Sequence, residues 1–177
     1  KQFQQITTAI NVKQTDVGVR DLQIVSKNDI QLLKEGENEK TKTYRALCCL
    51  SRALTDADIE LLSKCESFAI DQKTPIRVLH RRTLSVRQKH VYKLTAERVT
   101  EEVVSDEHKP FIDRIFYLNL TAEAGTYIKE FVHSDFGRTV PSLATILGGD
   151  CAADIIQLDV MEINIDWPPV VDYEDQK

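Results

Sequence analysis

The chain holds 177 residues, 42% of them hydrophobic and 29% charged, with a formal net charge of -5. That length fits one domain or one large piece of a domain, and the composition excludes a disordered, collagenous or coiled-coil chain. No apolar run approaches the roughly 18–20 residues a membrane-spanning helix needs, so no membrane partner is expected, and the net charge excludes a basic surface over the whole molecule.

The first residues, Lys1-Gln2-Phe3-Gln4-Gln5, hold neither an initiator Met nor the apolar core of a signal peptide. The chain therefore reads as a piece whose true start lies upstream. Residues 17–25 (VGVRDLQIV) are rich in β-branched side chains and predict a strand. Ser26 to Asp29 offers an S-x-x-D cap for a short helix carrying Ile30, Leu32 and Leu33 and stopping at Gly36. Residues 41–50 (TKTYRALCCL) predict a second strand. Thr55 to Asp58 caps another helix with Ile59, Leu61 and Leu62 on its apolar face. Pro75 begins an extended segment, residues 86–94 (VRQKHVYKL) predict a strand, and residues 114–122 (RIFYLNLTA) another. Gly125 breaks that pattern before a helix over residues 126–136, ended by Gly137, with Tyr127, Ile128, Phe131 and Val132 as its buried stripe. Gly148-Gly149 reads as a turn, and residues 155–165 form a last strand before Trp167-Pro168-Pro169. Without regular βαβ alternation, the pattern predicts an α+β fold, a mixed and largely antiparallel sheet with flanking helices.

Four cysteines, Cys48, Cys49, Cys65 and Cys151, form no C-x-x-C pair and have no histidine at zinc spacing. They read as buried free thiols of a reducing compartment, with no structural metal indicated. Neighbouring Cys48 and Cys49 on a strand point to opposite faces. Charge is unevenly spread. Arg77, Arg81, Arg82, Arg87, Lys89 and Lys93, with His80 and His90, lie between Lys73 and Arg98, where Glu97 is the only acid. From Asp150 onward the balance reverses, with Asp154, Asp159, Glu162, Asp166, Asp172, Glu174 and Asp175 against Lys177. Clustered cations of this kind suit a local phosphate-binding surface, although such a run also serves as a plain solvated face.

Phosphate-loop, dinucleotide, zinc-protease and nucleophile-elbow motifs are absent. One lysine stands out. Lys129 falls in the first turn of its predicted helix, where the macrodipole disfavours a cation. Exposure would make it tolerable; a carboxylate from another segment would give it a partner.

Gly125-Thr126-Tyr127-Ile128-Lys129, followed by Asp135-Phe136-Gly137, resembles motif III of the pseudouridine synthases. The longer strings KTKTYRAL, KTPIRVLHRRTLSVR, AGTYIKEFVHSDFGRTVPSL and LDV…DWPP resemble the pseudouridine synthase 10 family, from Val19 to Pro169. The resemblance implies a partial pseudouridine synthase catalytic fold whose substrate is the T-arm of tRNA, other structured RNAs being further candidates. It implies no cofactor and no metal. It makes Tyr44 the active-site tyrosine, Lys129 the partner of a catalytic aspartate, and Ile128 the apolar floor of the uracil pocket. Leu143, or less certainly Leu147, would be a pocket-lining leucine. Arg77, His80, Arg81, Arg82 and Arg138 would contact the RNA backbone. The plain readings are a core aromatic for Tyr44 and a cation at a helix C-terminus for Arg138.

The catalytic aspartate of such enzymes sits in a string resembling R-E-D-V-D-V-R-x-L-G, which this sequence lacks. Asp16 in DVGVR imitates it weakly, without the preceding Arg-Glu, so the aspartate is expected upstream of Lys1, with the N-terminal RNA-binding domain. Residues 1–177 would then be the C-terminal part of a catalytic domain, inactive by itself, in a protein of nucleus and cytoplasm. Two other classes remain open: a non-catalytic RNA-binding module, and a protein-interaction domain whose basic face meets an acidic partner.

Overall fold

A computed structural model of the chain describes residues 2–164, apart from the side chains of residues 35–39. Trp167-Pro168-Pro169 and the acidic positions Asp166, Asp172, Glu174 and Asp175 lie outside the described residues. The chain divides into two compact units, one running to Gly36 and the other Glu37–Asn164. Among the described residues no helix is long and apolar enough to cross a membrane.

In the first unit, α1 (Gln2–Lys13) was not foreseen from the sequence. Phe3, Thr7 and Ile10, spaced at i, i+4 and i+7, are its half-buried stripe. The strand expected over residues 17–25 does not form. The Asn11 amide donates to the Val19 carbonyl and accepts from the Val19 N–H, both at 2.8 Å, taking the groups a ladder would need. Asp21 interrupts the same stretch with φ of 51°. In α2 (Lys27–Glu39) the capping box forms as read: Ser26 N–H donates to Asp29 Oδ2 at 2.7 Å, and Asp29 N–H to Ser26 Oγ at 3.3 Å. The helix continues past Gly36, a residue that a helix interior tolerates at a cost of about 1 kcal/mol.

The second unit is built on a six-stranded sheet. It comprises β1 (Lys42–Leu50), α3 (Asp56–Ser63), β2 (Phe68–Lys73), a 3₁₀ turn (Ile76–Val78), β3 (Val86–Arg98), a 3₁₀ segment (Lys109–Arg114), β4 (Ile115–Ala122), α4 (Ile128–His133), β5 (Thr139–Val140), α5 (Leu143–Ile146) and β6 (Ala153–Ile163). The strand order is β5-β2-β3-β4-β1-β6, and every neighbouring pair is antiparallel. The α+β fold expected from the sequence is therefore present.

Alternation along β1 explains the two faces of the sheet. Tyr44, Ala46, Cys48 and Leu50 enter the main core, with Ile70, Val91, Leu94, Phe116, Leu118, Leu120 and, from the helices, Leu62, Phe131, Val132 and Leu143. Leu47 and Cys49 face the other way, onto Val104, Ile115 and Ile112. Burial pushes the Cys48 thiol far up and the other three thiols up as well; all four are free, but only Cys48 is fully buried.

Several expectations need correction. In α3 Leu62 is buried and Ile59 packs on the core, but Leu61 is 45% exposed. The segment after Pro75 is not extended: Val78 N–H donates to Pro75 C=O at 3.0 Å, and the resulting turn buries Val78. The helix after Gly125 spans only Ile128–His133, because Ser134, Asp135, Phe136 and Gly137 all adopt left-handed backbone, with φ of 65°, 50°, 57° and 77°. Strands β2 and β5, helix α5 and the 3₁₀ segment were not anticipated.

Candidate functional site

A cleft of about 230 Å³ opens over the sheet, lined by Tyr44, Arg77, Thr126, Tyr127, Ile128, Lys129 and Leu158. Four segments far apart in sequence meet there. Tyr44 sits on β1 where the pairing with β6 shifts register between Thr43 and Tyr44, a bulge of the kind that re-aims a side chain. Its ring is both core and wall, 8% exposed, and burial pushes its phenol up, so the hydroxyl stays protonated at neutral pH. Leu158 on β6 pairs with Ala46, two residues from Tyr44 on the same face, and supplies a second apolar wall.

The third segment is a turn whose chemistry can be read residue by residue. Gly125 has φ of 77°, a conformation that a Cβ strains. Thr126 closes the turn, its hydroxyl donating to Glu123 C=O at 2.7 Å. Lys89 Nζ holds the same turn from β3, at 2.6 Å from Glu123 Oε1 and 2.8 Å from Ala124 C=O. The Tyr127 peptide is then gripped from β2: Gln72 Nε2 donates to Tyr127 C=O and Tyr127 N–H donates to Gln72 Oε1, both at 2.9 Å. Gln72 is 1% exposed, so this pairing is a buried strut. Ile128 starts α4 pointing inward, and Lys129 follows exposed at the cleft. Exposure is how the cation is tolerated beside the helix start.

Arg77 reaches the cleft from the 3₁₀ turn. Its Nε donates to Glu130 Oε1 at 2.6 Å, and its guanidinium lies 5.8 Å from the Tyr127 ring centroid. The hydrogen bond to Glu130 raises the guanidinium pKa further, so Arg77 is a permanent cation. His80, Arg81 and Arg82 are exposed on the loop that follows. Thr74 closes that loop, donating to Thr83 C=O at 2.7 Å and accepting from Ser85 N–H at 3.0 Å.

The remaining sequence candidates fall elsewhere. Leu143 and Leu147 are buried core residues, 0% and 5% exposed, and neither lines the cleft; the leucine that lines it is Leu158. Its signal was the apolar alternation Ile156, Leu158, Val160 within the last predicted strand. Arg138 does not serve the end of its helix. It bonds Thr74 C=O at 2.7 Å and pairs with Asp135 at 3.5 Å, while Asp135 accepts from Ile76 N–H at 3.1 Å. These contacts tie the left-handed run to the base of the basic loop. Asp16 lies in the first unit, exposed and bonded to Thr15 at 3.2 Å. Among the described residues no group of three or more His, Cys, Asp or Glu is placed to hold a metal ion.

Comparison with known proteins gives a family model, curated relatives and solved structures that the chain resembles. A family model described as Pus10, C-terminal, matches residues 1–164. The chain is 44% identical over 172 residues to the tRNA pseudouridine synthase Pus10 of Homo sapiens, covering 97% of this chain and 30% of that protein. It is 36% identical over 148 residues to the tRNA pseudouridine synthase Pus10 of Thermofilum pendens, covering 83% of this chain and 30% of that one. The chain thus spans about 30% of the length of the curated relatives it matches. Among solved structures, a Cbf5-Nop10-Gar1 complex aligns with a TM-score of 0.50 at 20% identity, over 75% of this chain and 32% of that one, a likeness of fold alone.

Proposed function

The chain belongs to the Pus10 C-terminal family and carries the pseudouridine synthase fold, and on that premise we propose that it is the C-terminal part of a tRNA pseudouridine synthase catalytic domain. The intact protein isomerises uridine to pseudouridine in the T-arm of tRNA. The observation that supports this most is the cleft itself, which brings Tyr44, Ile128 and Lys129 together with Leu158 and Arg77. A cavity of about 230 Å³ is below the roughly 300–1,000 Å³ of sites for drug-sized ligands and suits a single base.

In this reading the target uridine is extracted from the T-loop at a cost of a few kcal/mol of stacking. Tyr44 offsets part of that by stacking on the base, while Ile128 and Leu158 exclude water from its faces. Lys129 pairs with the catalytic aspartate, which belongs to sequence upstream of Lys1, and keeps that carboxylate ionised. The N1–C1′ bond breaks, whether by direct attack of the aspartate or through a glycal; the uracil turns, the C5–C1′ bond forms, and the C5 proton leaves while N1 gains one. Every atom and electron of the nucleotide is conserved, so the reading calls on no cofactor. The Tyr44 hydroxyl stands beside the base to relay the C5 proton. A nuclear and cytoplasmic distribution goes with this function.

The test is pseudouridine formation on an unmodified tRNA transcript, with this chain and with the chain extended upstream. Conversion by the extended chain alone, abolished by Lys129→Ala and strongly slowed by Tyr44→Phe, is the expected result. Conversion by residues 1–177 alone would return Asp16 to the centre and refute the upstream aspartate. The exposed basic side chains Arg77, His80, Arg81 and Arg82 favour a second reading, a non-catalytic module for structured RNA. Tight binding by an extended chain that converts no uridine would establish it instead.

A further inference from the structure

We propose that Glu130 is a positioning residue whose buried carboxylate fixes the Arg77 guanidinium, so that its two free Nη groups grip a backbone phosphate of the RNA strand entering the cleft. The proposal rests on the RNA-modifying reading above and deepens it. Glu130 belongs to α4, where the other buried residues are Ile128, Phe131 and Val132. Its side chain is 2% exposed. One oxygen takes Arg77 Nε at 2.6 Å, and the other is sealed from solvent without a hydrogen-bond partner. A buried ion pair of this kind adds little stability over an apolar side chain of the same size. What the carboxylate does achieve is to hold one edge of a cation whose side chain is otherwise 54% exposed.

Bonding through Nε leaves the outer fork of the guanidinium, and neither Nη group has a partner among the described residues. That fork matches two oxygens of a phosphodiester. Arg77 also stands at the root of the loop carrying His80, Arg81 and Arg82, so a strand passing along those side chains would lay a phosphate at the cleft mouth. Lys129, a point charge on the same cleft, remains for the carboxylate.

The experiment uses the intact full-length protein and an unmodified tRNA transcript. It measures Kd across a range of salt concentrations, kcat and KM for uridine conversion, and the thermal midpoint of each variant. Arg77→Gln is expected to weaken binding about 10-fold and to lower the salt slope by about one. Glu130→Gln removes a negative charge from the protein, which by Coulomb attraction alone would tighten RNA. Positioning demands the opposite: Kd weaker by about 3- to 10-fold, with KM changed more than kcat. The double variant should bind no more weakly than Arg77→Gln alone. Unchanged or tighter binding by Glu130→Gln, additive losses in the double variant, or losses confined to kcat would overturn the proposal. Should Glu130→Gln fail to fold, Arg77→Lys decides, since it keeps the charge and lacks the fork: binding as weak as Arg77→Gln supports the grip, and wild-type binding overturns it. Wild-type protein that neither binds nor converts the transcript would remove the functional reading along with the proposal.

Discussion

Replacing Gln72 with leucine tests whether the Tyr127 peptide is held in place from β2. Leucine has nearly the volume of glutamine, so the change removes both hydrogen bonds to Tyr127, and a longer one to Thr139 Oγ1 at 3.4 Å, without opening a cavity. Both bonds to Tyr127 are 2.9 Å long, and they satisfy the N–H and the C=O of one residue inside the turn. Each contributes about 1 kcal/mol net, and part of the desolvation cost of the stranded groups, about 1–3 kcal/mol for each one fully buried, adds to that. The expected loss is about 2–4 kcal/mol, which for a chain of this size lowers the thermal midpoint by roughly 4–16 °C. Differential scanning calorimetry of purified chain measures it directly. Gln72→Glu sharpens the test, because it keeps an acceptor for Tyr127 N–H but offers no donor to Tyr127 C=O and buries a charge. It should destabilise at least as much. Since Lys129 lies two residues beyond Tyr127, conversion by the intact protein should fall about 10- to 100-fold with either variant. A Gln72→Leu chain within about 0.5 kcal/mol of wild type would refute the strut, because that is the scatter of ordinary surface substitutions.

Asp58 caps α3 by accepting from Thr55 N–H at 2.8 Å and from Arg52 at 2.7 Å, and the Arg52 hydrogen bond holds its carboxyl far below the usual range. A depressed folded pKa gives stability that is present above the ordinary value of about 3.9 and lost as pH falls below it. Acid titration of the denaturation midpoint should therefore be shallower below pH ~4 for Asp58→Asn than for wild type, and Asp58→Ala should cost about 2 kcal/mol at neutral pH. Gly125→Ala meets only ordinary contacts, at 3.8 Å or more from Lys89, so its penalty of about 1–2 kcal/mol would come from the left-handed backbone; urea denaturation would read it. Phe131→Ala, at a wholly buried position, should cost about 3–5 kcal/mol by the same measurement. Phe136→Ser, 93% exposed on the left-handed run, should change stability by less than about 0.5 kcal/mol.

Much of the sheet was legible because the pattern of β1 and β4 depends on local alternation alone. Tyr44, Ala46, Cys48 and Leu50 declare one buried face, and Leu118, Leu120 and Ala122 declare its neighbour. The turn at Gly125 and both capping boxes, Ser26 with Asp29 and Thr55 with Asp58, were legible for a similar reason: the residues that make them are three or four apart. What escaped detection depended on distant partners. Residues 17–25 have the composition of a strand, yet the Asn11 side chain claims the Val19 backbone. The strand β2 hid behind polar Asp71, Gln72 and Lys73, because Gln72 is buried for its contact with a turn 55 residues away. The length of α4 was overstated because nothing local announces four successive left-handed residues, which Asp135 and Arg138 hold through contacts to residues 74 and 76. In the cleft, the motifs had singled out Tyr44, Ile128 and Lys129, and all three line it. Neither Leu143 nor Leu147 lines the cleft, whereas Leu158 does, and its place beside Tyr44 depends on the pairing of β6 with β1.

The order of the strands also governs how the protein emerges during synthesis. Strand β1 lies between β4 and β6, and β6 begins at Ala153, about a hundred residues after β1 ends at Leu50. At translation rates of roughly 5–20 residues per second, β1 waits about 5–20 s for its second neighbour. Throughout that interval one edge of TYRALCCL is unpaired, an apolar strand of the sort that other nascent chains can extend. The Tyr44 side of the cleft gains its opposite wall only when Leu158 has cleared the ribosome. A ribosome stalled before residue 153 therefore displays the tyrosine and a bare strand together, and such chains should be the ones that chaperones hold longest.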